Sequence, residues 1–307
     1  MKQSIIKLIG VGVFFMASMA TTRCFAQEQD AVWAKLLPEI PQELTTPSQR
    51  AEFIVLHFWD NFDFRDTAFL TKDNLMERNF VDFIDLLSLV QDETREKSIQ
   101  SLLKKSEEER SLFALLLKLS ERYLYEATSP LCDDEKFIPF LQYAIRSSLL
   151  DDTEKIRPDY LLNLLLKNRT GMVANNFTCT LMNGETGNLH AIPSDYVLLY
   201  FNDPECEDCK MLIKQLIASP IVNQCIQSGK LKIVTVYVND DLEAWKKHAP
   251  DIPNTWIYTY DAEQKINMEE LYNIKRFPTL YLLDKDKKVL LKDTSFENLE
   301  NYFNEHE

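Results

Sequence analysis

The placement of Cys206 and Cys209 constrains this chain more than any other feature. An apolar run, Tyr196-Val-Leu-Leu-Tyr-Phe201, precedes the pair and reads as a buried strand. Asn202-Asp-Pro-Glu205 breaks that strand, and Lys210 to Ala218 follows as a helix. A Cys-x-x-Cys between strand and helix puts the first thiol at a helix N-terminus. Unpaired N–H groups and the helix dipole there favour thiolate over thiol. Alone, the pair would equally suit half of a zinc site. About seventy residues on, however, Arg276-Phe277-Pro278-Thr279 leads into the strand-like run Leu280-Tyr-Leu-Leu-Asp284. A proline just before a strand is a candidate cis peptide.

With these residues in place, the segment from about Gly171 to the C-terminus resembles a thioredoxin-fold thiol–disulfide oxidoreductase of the envelope-facing, TlpA-like kind. Its opening, Gly171-Met-Val-Ala174-Asn-Asn-Phe177-Thr178 and then Asn183-Gly184, is similar to that group's first strand and turn. The resemblance covers a little under half of the chain. It implies that Cys206 is the nucleophile and Cys209 the resolving thiol, cycling through a Cys206–Cys209 disulfide. It implies too that Phe277 and a cis Pro278 shape the groove for a client strand. No bound cofactor is implied, since electrons pass by exchange between protein disulfide clients and an envelope redox partner. Two positions depart from the family. Glu205 and Glu207-Asp208 stand where that group often has an apolar residue and Gly-Pro, and the buried acid of thioredoxin itself would fall near Tyr200.

A length of 307 residues, 45% of them apolar, suits two packed domains, and only six glycines favour a helix-rich chain over a turn-rich one. Residues 1–26 read as an export signal. Lys2 and Lys7 form the basic region, Leu8 to Ala20 the apolar one, and Cys24-Phe-Ala26 the small-residue cut site. Thr21-Thr22-Arg23 suits lipidation of Cys24 poorly. After cleavage no later run is long enough to span a bilayer, so the expected location is the periplasm. Removing Lys2, Lys7 and Arg23 takes the formal charge from −14 to −17, which speaks against nucleic acid and anionic lipid as partners.

Residues 27–168 read as an all-α helical bundle of about six helices ahead of the α/β domain of residues 169–307. Apolar stripes run through Pro47–Trp59, Leu75–Val90, Ser111–Tyr125, Phe137–Leu150 and Tyr160–Lys167. The tract His57-Phe-Trp-Asp-Asn-Phe-Asp-Phe64 resembles a domain of unknown function found ahead of thioredoxin-like domains in Gram-negative envelope proteins, and its aromatics read as core. Beyond Asn168 strands are expected at Phe177–Met182, Tyr196–Phe201, Leu231–Val238 and Leu280–Leu283. Helices are expected at Cys206–Ala218, Leu242–Ala249, Met268–Tyr272 and Phe296–Glu305. Lys288-Val-Leu-Leu291 would return as a hairpin on Leu280–Leu283.

Rival chemistries fit less well. Cys179, Cys225 and His190 lack paired ligand spacing, so no metal site is expected, and a peroxidatic Pro-x-x-x-Thr/Ser-x-x-Cys pattern ends at neither Cys206 nor Cys209. Cys132, Cys179 and Cys225 read as small buried hydrophobes. A redox-silent binding or scaffold protein worked by the helical half is the alternative from another class. Glu107-Glu-Glu109 and Asp133-Asp-Glu135 read as solvated helix starts. Around the motif, Glu205, Glu207 and Asp208 oppose a thiolate and Lys210 offsets part of that. The pair is therefore expected near the reducing end of the scale.

Overall fold

The structure is a computed structural model describing residues 37–66 and 75–306. The expected signal segment, Cys24 included, lies outside the described residues. Residue contacts divide the chain between Tyr160 and Leu161 into two compact units, earlier than the division after Asn168 read from the sequence. Hydrogen bonds tie the last two residues of the expected helical segment to the second unit. Lys167 Nζ donates to the carbonyls of Glu269 and Glu270 at 3.2 and 2.8 Å, and Asn168 Nδ2 to that of Leu271 at 2.7 Å. These residues belong by their bonds to the second unit.

The first unit contains, among the described residues, the helices α1 (Pro47–His57), α2 (Leu75–Leu86), α3 (Asp92–Ser106), α4 (Arg110–Leu124), α5 (Asp134–Arg146) and the start of α6 (Asp152–Leu165). Thr46 and Gln49 cap α1 reciprocally, with Pro47 in the first turn. Glu109 and Asp133 accept backbone N–H groups at the starts of α4 and α5. Glu107 departs from its expected place: it closes the C-terminal end of α3, bonded to Lys104 at 2.7 Å. Phe58, Trp59, Phe62 and Phe64 are all buried, and the Trp59 ring meets Phe62 and Phe83 edge-on at 5.4 and 5.5 Å. The aromatic tract is core, as expected. Cys132 is half-buried, its Sγ 3.6 Å from the carbonyl of Tyr125, and not the fully buried thiol expected.

The second unit is a seven-stranded mixed sheet: β1 (Thr178–Leu181), β2 (Thr186–Asn188), β3 (Tyr196–Asn202), β4 (Leu231–Tyr237), β5 (Ile257–Tyr260), β6 (Thr279–Asp284) and β7 (Val289–Lys292), in the order β2-β1-β5-β4-β3-β6-β7. β3, β4 and β5 run parallel, and β6 lies antiparallel to β3. Helices α7 (Glu207–Ala218), α8 (Pro220–Gln227), α9 (Leu242–His248), α10 (Lys265–Met268) and α11 (Phe296–His306) complete it. Gly184, at φ +83°, supplies the left-handed residue of the tight turn from β1 to β2.

Both faces of β3 are covered, which is why its sequence is continuously apolar. Val197, Leu199 and Phe201 point into one apolar cluster with Val234, Val236 and Tyr281. Leu198 and Tyr200 point into the other, with Cys209, Leu212 and Leu216 of α7 and Leu299 and Phe303 of α11. Each such side chain contributes roughly 1.5–3 kcal/mol by leaving water. A helix forms at Lys265–Met268 rather than at Met268–Tyr272, and Glu270, at φ +49°, prevents its continuation.

Candidate active site

Cys206 and Cys209 stand where β3 hands over to α7, and the loop between is built for a sharp entry. Asp203 Oδ1 accepts the N–H of Glu205 at 2.8 Å, its Oδ2 accepts from Asn239 Nδ2 at 2.8 Å, and its carbonyl accepts the N–H of Cys206 at 3.1 Å. Side-chain turns of this kind hold the chain in register without a glycine. Cys206 is then the N-cap of α7, with φ −77° and ψ 121°. Its sulfur takes the place of a capping oxygen and accepts the N–H of Cys209 at 3.2 Å. Negative charge on that sulfur is therefore met by an N–H donor and by the positive end of the helix dipole.

The wall facing the pair comes from the segment that leads into β6. The Phe277–Pro278 peptide is cis, as the sequence implied. The carbonyl of Phe277 lies 3.6 Å from Cys206 Sγ and accepts its S–H. Residues 71 positions apart thus meet at one sulfur. Phe277 is half-buried and packs against both apolar clusters, which anchors that carbonyl.

The two thiols differ sharply in surroundings. Cys206 is half-exposed, whereas Cys209 retains 2% of its surface. Burial pushes the Cys209 thiol up to about 12, helped by its hydrogen bond to Cys206 and opposed by the Asp203 backbone and the nearby Tyr200 hydroxyl. A partly buried thiol beside a fully buried one is the asymmetry that a nucleophile and a resolving thiol require. Both cysteines are free thiols here.

Two of the three acids around the motif have side-chain partners. Glu205 Oε1 lies 3.3 Å from His248 Nε2, and His248 Nδ1 lies 3.0 Å from Asp251. Glu207 accepts from Lys210 at 2.8 Å, which holds its carboxyl below the usual range. Sequence reasoning missed Asp203, which uses its carboxylate to shape the loop, and His248, which is 43 positions from its partner. Neither sits in a motif, so only the fold reveals them. Among the described residues no set of three or more Cys, His, Asp or Glu side chains is placed to hold a metal. Among them, too, no helix is long and apolar enough to cross a membrane.

A helix-capping Cys-x-x-Cys beside a cis proline at the ends of two neighbouring strands of a mixed sheet defines a thioredoxin-fold domain. Comparison with known proteins agrees. Residues 194–289 match the family described as "Thioredoxin-like", and residues 17–168 match "Domain of unknown function (DUF5106)". A solved thioredoxin-like protein from Bacteroides caccae is similar over 88% of this chain and 98% of its own, at 39% identity and a TM-score of 0.86. The chain belongs to this thioredoxin-like family. The thioredoxin domain of a thiol-disulfide oxidoreductase from Bacteroides vulgatus is similar at 25% identity over 45% of this chain and 96% of its own, with a TM-score of 0.40. Nucleoredoxin of Danio rerio is 26% identical over 118 residues, 38% of this chain and 28% of that protein. The chain thus spans little more than a quarter of that curated relative.

Proposed function

We propose that the protein is an exported thiol–disulfide oxidoreductase of the envelope. It exchanges disulfides with protein clients through Cys206 and Cys209, in the reducing or isomerising direction, and is recharged by an envelope redox partner. The observation that carries this reading is the half-exposed Cys206 sulfur, which caps α7 and lies 3.6 Å from the Phe277 carbonyl.

The chemistry follows from that arrangement. Cys206, as thiolate, attacks one sulfur of a client disulfide. The client S–S bond breaks, a Cys206–client disulfide forms, and the other client sulfur leaves and takes up a proton. Cys209 then loses its proton and attacks Cys206 Sγ, which releases the second client thiol and leaves a Cys206–Cys209 disulfide. Two electrons have passed to the client, and the redox partner returns them by the reverse exchange. The reducing direction is supported by the acidic residues at 205, 207 and 208, an effect that Lys210 moderates. Because burial holds Cys209 protonated, the resolving step should accelerate by roughly tenfold for each unit of pH above neutrality.

Client capture tests the reading. Cys209→Ser leaves the first step intact and removes the second, so it should accumulate mixed disulfides that dithiothreitol dissolves. The double variant Cys206→Ser, Cys209→Ser should accumulate none. Equal accumulation in both variants would rule out exchange at Cys206.

A further inference from the structure

Cys209 poses a problem that the proposed function, on which this inference rests, leaves open. Its sulfur is buried, yet resolution requires it to become an anion. The groups that bear on that sulfur come from three directions: Cys206 on the same turn, the Asp203 backbone in the entry loop, and Tyr200 on β3. Cys225 of α8 shares the surrounding cluster, while α11 and β6 contribute apolar Leu299, Phe303, Leu280 and Leu282. The Asp203 carboxylate is turned to Asn239 and the Glu205 amide.

Tyr200 stands apart among these. It is fully buried, on the face of β3 beneath α7, and its hydroxyl donates to the Cys209 carbonyl at 2.8 Å. That carbonyl lies inside the first turns of α7 and has a helical N–H partner of its own four residues on. The bond from Tyr200 is therefore additional, and the carbonyl is not orphaned if the hydroxyl turns away. A phenol proton moves by rotation about the C–O bond, so one hydroxyl can serve the carbonyl in one state and the sulfur in another. A hydrogen bond to an anion is about twice as strong as one to a neutral acceptor.

We propose that Tyr200 is the residue that stabilises the resolving thiolate, its hydroxyl turning from the Cys209 carbonyl to Cys209 Sγ as that thiol ionises. The thiol proton goes to solvent and from there to the departing client thiolate. Tyr200 keeps its own proton throughout and acts as a donor, not a base. Burial supports that role, since it pushes the Tyr200 hydroxyl well above its ordinary range.

The test uses the full chain and dithiobis(nitrobenzoate), whose two nitrothiobenzoate releases report the two steps separately. The first release marks attack by Cys206 and the second marks resolution by Cys209. In Tyr200→Phe the first release should stay within about twofold of the parent, and the second should slow by about tenfold at neutral pH. The pH profile of the second release should move up by about one unit, which a purely structural role would not produce. Fluorotyrosine placed at position 200 keeps the shape, makes the hydroxyl a stronger donor and should speed the second release; this arm stands even if Tyr200→Phe folds poorly. A second release that is unchanged in rate and pH profile in both variants would overturn the role of Tyr200 alone. A parent chain that gives a first release and no second would overturn the oxidoreductase reading together with it.

Discussion

Cys206→Ser should reduce dithiothreitol-driven insulin reduction to the uncatalysed background, a loss of roughly two orders of magnitude or more. The reason is confined to the sulfur. Serine's hydroxyl is not ionised at working pH and is a poor nucleophile toward disulfides, whereas the thiolate is the attacking species. The fold should tolerate the change well. Cys206 is half-exposed and sits at the N-cap of α7, where it accepts the Cys209 N–H. Serine is among the preferred residues at such a position. Insulin turbidity, read beside a thermal melt, separates the two effects: activity should vanish while the melting temperature stays within a few degrees. Retained activity in the variant would remove Cys206 from the chemistry.

The largest expected effect on stability lies one layer below the site. Phe201 is fully buried near the end of β3, with ring centroids 5.0 Å from Tyr272 and 6.1 Å from Tyr281. In register it faces Val236 of β4 and Thr279 of β6. Phe201→Ala deletes a whole ring from a close-packed aromatic group that cannot collapse around the gap, and should cost about 3–5 kcal/mol. Urea unfolding followed by tryptophan fluorescence should show a lower midpoint for the thioredoxin-like unit at an unchanged slope. Thr279 directly follows Pro278, so the loss should also loosen the wall beside Cys206 and reduce exchange. A cost below about 1 kcal/mol would mean that the ring is less well packed than the structure shows.

How much of this could be read from the sequence depends on how far apart the cooperating residues lie. β3 and β6 were legible because strands buried on both faces leave unbroken apolar runs. Cys206, Cys209 and Pro278 were legible because each adjoins such a run. The hairpin of β6 and β7 showed in the charged Asp284-Lys-Asp-Lys287 between two apolar stretches. By contrast β2 is Thr-Gly-Asn, exposed at each residue, and carries no alternation to detect. β5, four residues long, owes its existence to parallel pairing with β4 and antiparallel pairing with β1, which no local pattern encodes. α8 follows α7 after a single residue, Ser219, whose hydroxyl caps it. The partner of Glu205 was hidden for a related reason. Glu205 looked like a bare charge beside Cys206 until the fold brought His248 to it. Tyr200 stood out in the sequence only as an aromatic where an acid was expected, and its bond to Cys209 gives that position a part to play.

Reversible oxidation of one pair of thiols is the centre of the account, and equilibration with glutathione followed by mass spectrometry measures it most directly. A Cys206–Cys209 disulfide should form and break as a two-electron couple, with a midpoint nearer the roughly −270 mV of thioredoxin than the roughly −120 mV of strong oxidants. Cys132, Cys179 and Cys225 should remain thiols throughout. If Cys206 and Cys209 also stay reduced across the whole range, or each pairs elsewhere, the protein does not work as a dithiol couple.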